Sequence, residues 1–168
     1  QILKEISHDD YVAVPANLNS PEQVVLSGSI DALKEAVEKL KGIGYKKAVF
    51  LNVSGPFHSP LMIGAAEGLK CELMNLSRGD MEMPVVVNVD ASPENNKDII
   101  PDKLYRQMFS PVMWEGCVRR MAEEGVEIFL EVGPQKVLSN LIKRIEPEIP
   151  CYNVEEFEDI DAIRGVLV

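Results

Sequence analysis

The segment NVSGPFHSPLM, residues 52–62, decides the fold because it separates two stretches with different patterns. It follows the apolar run AVFL, residues 48–51, which is typical of a buried strand. A Ser-Gly-Pro sequence ends that run, and His58 then stands between two prolines that stiffen the loop. A histidine on a stiff loop past a strand end is well placed to face a cleft, although this segment alone leaves open a surface histidine without function.

Upstream of this segment, the pattern predicts the order helix, strand, strand, helix, strand. The predicted elements are a helix end and polar turn over residues 1–10, strands over 11–16 and 23–28 joined by a loop over 17–21, a helix over 31–42 and a third strand over 46–52. The first two strands are expected to pair antiparallel. This is the ferredoxin-like order without its opening strand. We therefore predict an incomplete ferredoxin-like subdomain over residues 1–57 and expect the chain to start part-way through a domain.

Downstream, helical and apolar strand patterns alternate. The predicted helices cover residues 61–76, 101–108, 111–124, 135–145 and 158–167, and the predicted strands cover 83–89, 127–132 and 151–154. A continuously apolar strand between helices is typical of a covered parallel sheet. We predict that residues 58–168 form one part of an α/β core, with His58 at the junction, where clefts tend to form.

Composition excludes several classes of function. The 168 residues are 46% hydrophobic and 26% charged, which is usual for a globular domain. The net charge of −10 argues against a nucleic-acid partner, and no apolar run approaches the length of a membrane span. Cys71, Cys117 and Cys151 are odd in number and widely spaced, so we expect no metal cluster or disulfide framework, three buried or half-buried thiols, and a reducing cytoplasmic environment.

The chemistry-bearing residues are few. The only histidine besides His58 is His8, which lies in a polar turn and is expected to be solvated. No G-x-S-x-G nucleophile elbow and no glycine-rich nucleotide loop occurs, so a base at His58 has no obvious nucleophile to activate. Cys71 is a poor candidate because it falls mid-helix without a neighbouring histidine. Asn17 and Asn19 either contact a ligand carbonyl or hold their turn together.

Several segments together resemble malonyl-CoA:acyl carrier protein transacylases. They are PANLNSPEQVVLSG (15–28), VSGPFHSPLM (53–62), PVVVNVD (84–90), QMFSPVMW (107–114) and EVGPQKVL (131–138). The resemblance implies an α/β fold, with a partial α/β-hydrolase-like parallel-sheet core plus the incomplete ferredoxin-like subdomain. It also implies transfer of malonyl from coenzyme A to the phosphopantetheine thiol of acyl carrier protein, through an acyl-serine intermediate, in fatty acid synthesis.

The resemblance assigns roles to single residues. His58 corresponds to the general base, and Gln107 to the residue whose backbone carbonyl accepts the second imidazole N–H. Asn17 and Asn19 correspond to residues that line the acyl pocket. Phe57 corresponds to a position where a bulky ring crowds an α-methyl group and so favours malonyl over methylmalonyl substrates.

The chain also departs from the family pattern. The N-terminal half of the family is absent, and with it the oxyanion loop, the serine elbow and the arginine that pairs with the substrate carboxylate; Gln135 replaces the usual glycine of G-P-G-K. The expected partners are malonyl-CoA, acyl carrier protein and that missing half, without nucleic acid or membrane. The coenzyme A thioester is a substrate, and no metal or other cofactor is expected.

We expect this chain alone to be inactive. The first alternative is a non-catalytic fragment of the same fold that binds carrier protein. The second is a methylmalonyl- or acetyl-selective relative, a choice that depends on Phe57 and on the absent arginine.

Overall fold

A computed structural model describes residues 2–45 and 47–165. Its helices are α1 (Ile2–Ile6), α2 (Ile30–Gly42), α3 (Ile63–Asn75), α4 (Ile100–Gln107), α5 (Trp114–Glu123), α6 (Val137–Ile145) and α7 (Asp159–Arg164), with a 3₁₀ turn (Pro60–Met62) before α3. Its strands are β1 (Ala13–Ser20), β2 (Gln23–Gly28), β3 (Val85–Val87), β4 (Ser92–Glu94), β5 (Phe129–Val132) and β6 (Cys151–Val154). The terminal helix expected over residues 158–167 is described only as far as residue 165, because residues 166–168 lie outside the described part.

Strands β1 and β2 form an antiparallel hairpin, as predicted. The predicted loop over residues 17–21 is wrong, because β1 continues to Ser20 and a tight turn then leads into β2. The strand passes Pro15 because the register shifts between Pro15 and Asn17, and an irregularity of this kind accommodates a residue without an N–H group. Asn17 and Asn19 therefore lie on a strand.

A first core lies between the hairpin and the helices α1 and α2. Ile6, Ala13, Ala32 and Ala36 are buried together. Ala32 and Ala36 belong to the apolar face that helical spacing predicts for α2. Small side chains on that face allow the helix to approach the hairpin closely.

The predicted third strand is not found. Residues 47–52 form no strand in the described structure, and Lys46 lies outside it. The side chains of Val49 and Phe50 are 83% and 59% exposed. A strand is defined by hydrogen bonds to a neighbour, and no described strand lies beside this segment. The apolar pattern therefore indicates a segment that would be buried in a complete fold, but no described residues cover it.

The predicted apolar strand over residues 83–89 is shorter than expected and is not parallel. Only Val85–Val87 is a strand, and it pairs antiparallel with β4. The chain reverses through a turn at Ala91, which has a φ of 53°, and Asp90 Oδ1 accepts a hydrogen bond from the Ser92 amide at 3.3 Å. Apolar composition predicts burial but does not set strand direction, so this local turn decides the pairing.

The prediction of a parallel strand pair is confirmed for β5 and β6, which run parallel with Phe129 opposite Cys151. Helix α6 connects the two strands, as in a βαβ unit. A second core of Val118, Phe129, Ile142 and Ile145 lies between β5 and the helices α5 and α6.

The segment before α5 joins the two parts of the chain. The helix predicted over residues 111–124 begins only at Trp114, because Val112 lies alongside β1. The Val112 amide donates to Ala16 O at 2.8 Å, and the Val112 carbonyl accepts from the Leu18 amide at 2.9 Å. The hairpin that carries Asn17 and Asn19 is thus held against the second part of the chain. The division at residues 57 and 58 stays a prediction.

Candidate functional site

His58 lies on a short loop just before the 3₁₀ turn. Its φ is 58°, in the left-handed region, where non-glycine residues are uncommon and histidine is enriched. The next residue, Ser59, is fully buried, and its Oγ donates a hydrogen bond to Pro56 O at 2.6 Å. Pro60 then starts the 3₁₀ turn, a position that needs no amide donor. The bond between Ser59 and Pro56 therefore spans His58 and holds it in this uncommon backbone conformation.

The end of helix α4 binds both the ring and the backbone of His58. The ring nitrogen Nδ1 lies 2.8 Å from Gln107 O, and the His58 amide donates to Met108 O at 3.2 Å. The last carbonyls of a helix lack intrahelical donors, so these two oxygens are free to accept. A carbonyl can only accept, so Nδ1 carries the proton and Nε2 presents a lone pair.

This arrangement can perform proton transfer. A neutral imidazole with a fixed tautomer can take a proton at Nε2 and return it later, as a general base and then a general acid. No hydroxyl or thiol in residues 2–45 and 47–165 hydrogen-bonds to the ring. The described part of the chain therefore holds the imidazole of His58 against a carbonyl that can orient it.

The two asparagines lie half-buried on β1. Asn17 forms a parallel bridge with Val112, and Asn19 lines a cleft of about 260 Å³. The other cleft-lining residues are Gln23, Val137, Asn140, Leu141 and Arg144. Phe57 is 47% exposed beside Gly55. Among the described residues, no hydrogen bond links either asparagine or Phe57 to His58.

Sequence reasoning missed the cleft wall formed by α6. Val137, Asn140, Leu141 and Arg144 recur at helical spacing, which was the signal that could have identified one helix face. It also missed Met108, which takes part through its backbone and leaves no mark in residue type.

The three cysteines are free thiols in different surroundings. Cys117 is buried, and desolvation by burial raises its pKa to about 11. Cys151 is half-buried. The expectation of burial is wrong for Cys71, which is exposed because its side of α3 faces away from the core. A thiol with a raised pKa is a poor nucleophile, so Cys117 offers no alternative chemistry.

Comparison with known proteins links this geometry to one family. The family model described as acyl transferase domain matches residues 3–155. A malonyl CoA-acyl carrier protein transacylase from Staphylococcus aureus (strain COL) is 39% identical over 160 residues, which are 95% of this chain and 52% of that protein. The chain thus spans about half the length of the curated relatives it matches.

Solved structures show the same similarity. An acyl carrier protein S-malonyltransferase from Vibrio cholerae O1 has a TM-score of 0.91 and 39% identity, over 96% of this chain and 53% of that one. A malonyl-transacylase in complex with its type II PKS acyl-carrier protein has a TM-score of 0.90 and 36% identity, over 98% and 53%. These matches confirm the resemblance seen in the sequence and a mixed α/β fold.

Proposed function

Since the chain belongs to the acyl transferase domain family, we propose that it carries the general base of a malonyl-CoA:acyl carrier protein transacylase. The observation that carries this proposal is the 2.8 Å contact between His58 Nδ1 and Gln107 O. This contact joins two residues far apart in the chain and leaves Nε2 free for chemistry. The names of the relatives supply the substrate class, malonyl thioester and acyl carrier protein.

The proposed reaction has two half-reactions on one serine, which the uncovered half of the family fold supplies. His58 Nε2 takes the serine proton while the serine oxygen attacks the malonyl thioester carbonyl, and it returns that proton to the departing coenzyme A sulfur. In the second half-reaction, Nε2 takes the proton of the phosphopantetheine thiol. The sulfur attacks the malonyl ester, and the serine oxygen leaves with the proton.

A carbonyl suits this substrate better than a carboxylate in the orienting position. The malonyl group carries its own negative charge into the site. At an effective dielectric constant of about 20, two like unit charges about 7 Å apart repel by about 2 kcal/mol. The Gln107 carbonyl fixes the imidazole tautomer without adding that repulsion.

The substrate pocket is proposed to include Asn17, Asn19 and Phe57. Asn19 already faces the cleft that also contains Arg144. Phe57 would contact the malonyl Cα and exclude an α-methyl group, a selectivity of about 10–200-fold for one methyl group.

The other proposed partner is a polypeptide that corresponds to the uncovered half of the relatives. The support is apolar surface at three strand-like segments: Val49 and Val53 are 83% and 63% exposed, Val85 of β3 is 50% exposed, and Val132 of β5 is 80% exposed. Soluble monomers rarely expose large contiguous apolar patches, so each segment is a candidate for strand pairing. A cytoplasmic location belongs to the same proposal; no helix in the described part of the chain is long and apolar enough to cross a membrane.

The second candidate function is a non-catalytic fragment that binds acyl carrier protein. The absence of G-x-S-x-G from these residues favours it for the chain by itself. The two candidates differ in one measurable property. A transacylase transfers malonyl when the chain is combined with the uncovered half, and a non-catalytic fragment does not.

The test is a malonyl transfer assay with malonyl-CoA and holo acyl carrier protein. The chain alone is compared with the complete gene product and with the chain mixed with the uncovered half of the S. aureus relative. We expect no transfer by the chain alone and transfer by the complete product. Equal turnover by the chain alone, or carrier binding without transfer by the complete product, would overturn the proposal.

A further inference from the structure

Helix α4, which presents Gln107 O and Met108 O to His58, has an unusual anchor. Only Pro101 and Lys103 are buried among its eight residues. Lys103 is 6% exposed, a degree of burial that lysine reaches almost only when its charge is paired. Lys103 therefore anchors the helix through a charged side chain, while Tyr105 contacts Glu67 and Lys70 of α3.

The three groups that bind the ammonium of Lys103 all come from the β3–β4 hairpin. Lys103 Nζ donates to Ser92 Oγ at 2.7 Å, and lies 3.1 Å from Asp90 Oδ2 and 3.4 Å from Glu94 Oε2. Partial burial raises the pKa of Asp90, but hydrogen bonds from Ser92 and Lys103 outweigh it and hold that pKa below its ordinary value. The Asp90 carboxyl that faces Lys103 is thus charged near neutral pH.

The hairpin is itself fixed to the rest of the fold. The Met113 amide donates to Asn88 O at 2.8 Å, and Cys117 Sγ lies 3.7 Å from Val87 O. Lys103 therefore connects α4 to a part of the molecule that is tied to α5.

We propose that Lys103 is a positioning residue for His58, acting through the end of α4. This inference rests on the proposed function, since it assigns Lys103 to the same base. Lys103 and Gln107 are four residues apart, about one helical turn, so a shift at the anchor moves the acceptor carbonyl. Directional bonds to three acceptors set the position of the helix along its axis, which apolar contacts alone do less well. Fixing register is the best-attested role of buried ionic groups.

The test is the tautomer of the His58 imidazole, measured by ¹⁵N-detected NMR above the pH of imidazole titration. The chain has only two histidines, so the spectrum is simple, and a His8→Gln variant assigns it. The unsubstituted chain is expected to hold His58 as the Nδ1–H form. In Lys103→Met, the ratio of Nε2–H to Nδ1–H forms is expected to rise about fivefold or more, the factor for losing one ordinary hydrogen bond.

Lys97→Met is the matched control, because Lys97 forms an exposed ion pair with Asp80 at 2.6 Å. It should leave the tautomer ratio unchanged, and Lys103→Arg should restore most of the Nδ1–H form. If Lys103→Met does not fold by circular dichroism, Asp90→Asn decides, with an expected rise in the same direction.

An unchanged ratio in a folded Lys103 or Asp90 variant would overturn the proposal, as would an equal change in the control. The readout does not need malonyl transfer. A failed transfer assay with the predicted tautomer response would therefore reject the proposed function and leave the positioning role supported.

Discussion

Removing the Ser59 hydroxyl tests whether the His58 loop is held as described. The Oγ atom is fully buried and donates to Pro56 O at 2.6 Å. Ser59→Ala removes a bond with a net contribution of about 1 kcal/mol and leaves a carbonyl without its donor, for which the penalty is about 1–3 kcal/mol when fully buried. Pro56 is only half-buried, so water reaches its carbonyl in part. We expect a total loss of about 1–2 kcal/mol.

For a chain of this size, each kcal/mol corresponds to about 2–4 °C, so the melting temperature should fall by about 2–8 °C. Urea and thermal unfolding followed by circular dichroism measure both quantities. Ser54→Ala is the matched control, since Ser54 lies in the same loop, is exposed and has no side-chain hydrogen bond among the described residues. A Ser59→Ala midpoint equal to that of the control would show that the Ser59 hydroxyl does not stabilise this loop.

Four further predictions use the same unfolding assay. Gly28→Ala should cost at least ~3 kcal/mol, because an added Cβ would lie 1.7 Å from Val12 O. Gly68→Ala, in α3 with nothing within 4 Å, should stabilise by about 0.5–1 kcal/mol. Gln135→Gly should stabilise by a similar ~0.5–1 kcal/mol because Gln135 has a φ of 68°, and a loss would contradict this. Partial burial raises the pKa of Glu131, but hydrogen bonds from the start of α6 outweigh it and lower the pKa below 4.5. The ionised Glu131 therefore stabilises the fold above pH 4.5, and this stabilisation is lost as the pH falls below that value. In Glu131→Gln, the free energy of unfolding should fall less steeply as the pH is lowered.

Local patterns predicted the elements that local interactions decide. The periodicity of α2, the parallel pair β5 and β6, and the β1–β2 hairpin all follow from residue spacing and turn residues close in the chain. The errors concern partners. Residues 47–52 have a strand's composition but no neighbouring strand among the described residues, and Val85–Val87 pairs according to the turn beside it. An apolar run predicts that a segment is buried, but it does not predict which other segment covers it.

The candidate site shows the same division. The position of His58 after a strand-like run marked it from its own neighbourhood. Gln107 could not be found that way, because it contributes a backbone carbonyl 49 residues distant, and only the family resemblance indicated it. Lys103 was missed because a lysine on a short helix ordinarily faces solvent, and its burial depends on acceptors brought by a separate hairpin.

The role of His58 as the general base is tested by malonyl transfer by the complete gene product with His58→Ala, compared with His8→Ala. These are the only two histidines of the chain, and His8 is exposed and stacked on Tyr11, with ring centroids 5.3 Å apart. Loss of a general base should lower kcat/KM by about 10²–10⁴-fold in His58→Ala, while His8→Ala stays at the wild-type rate. A His58→Ala enzyme with wild-type turnover would show that His58 is not the general base.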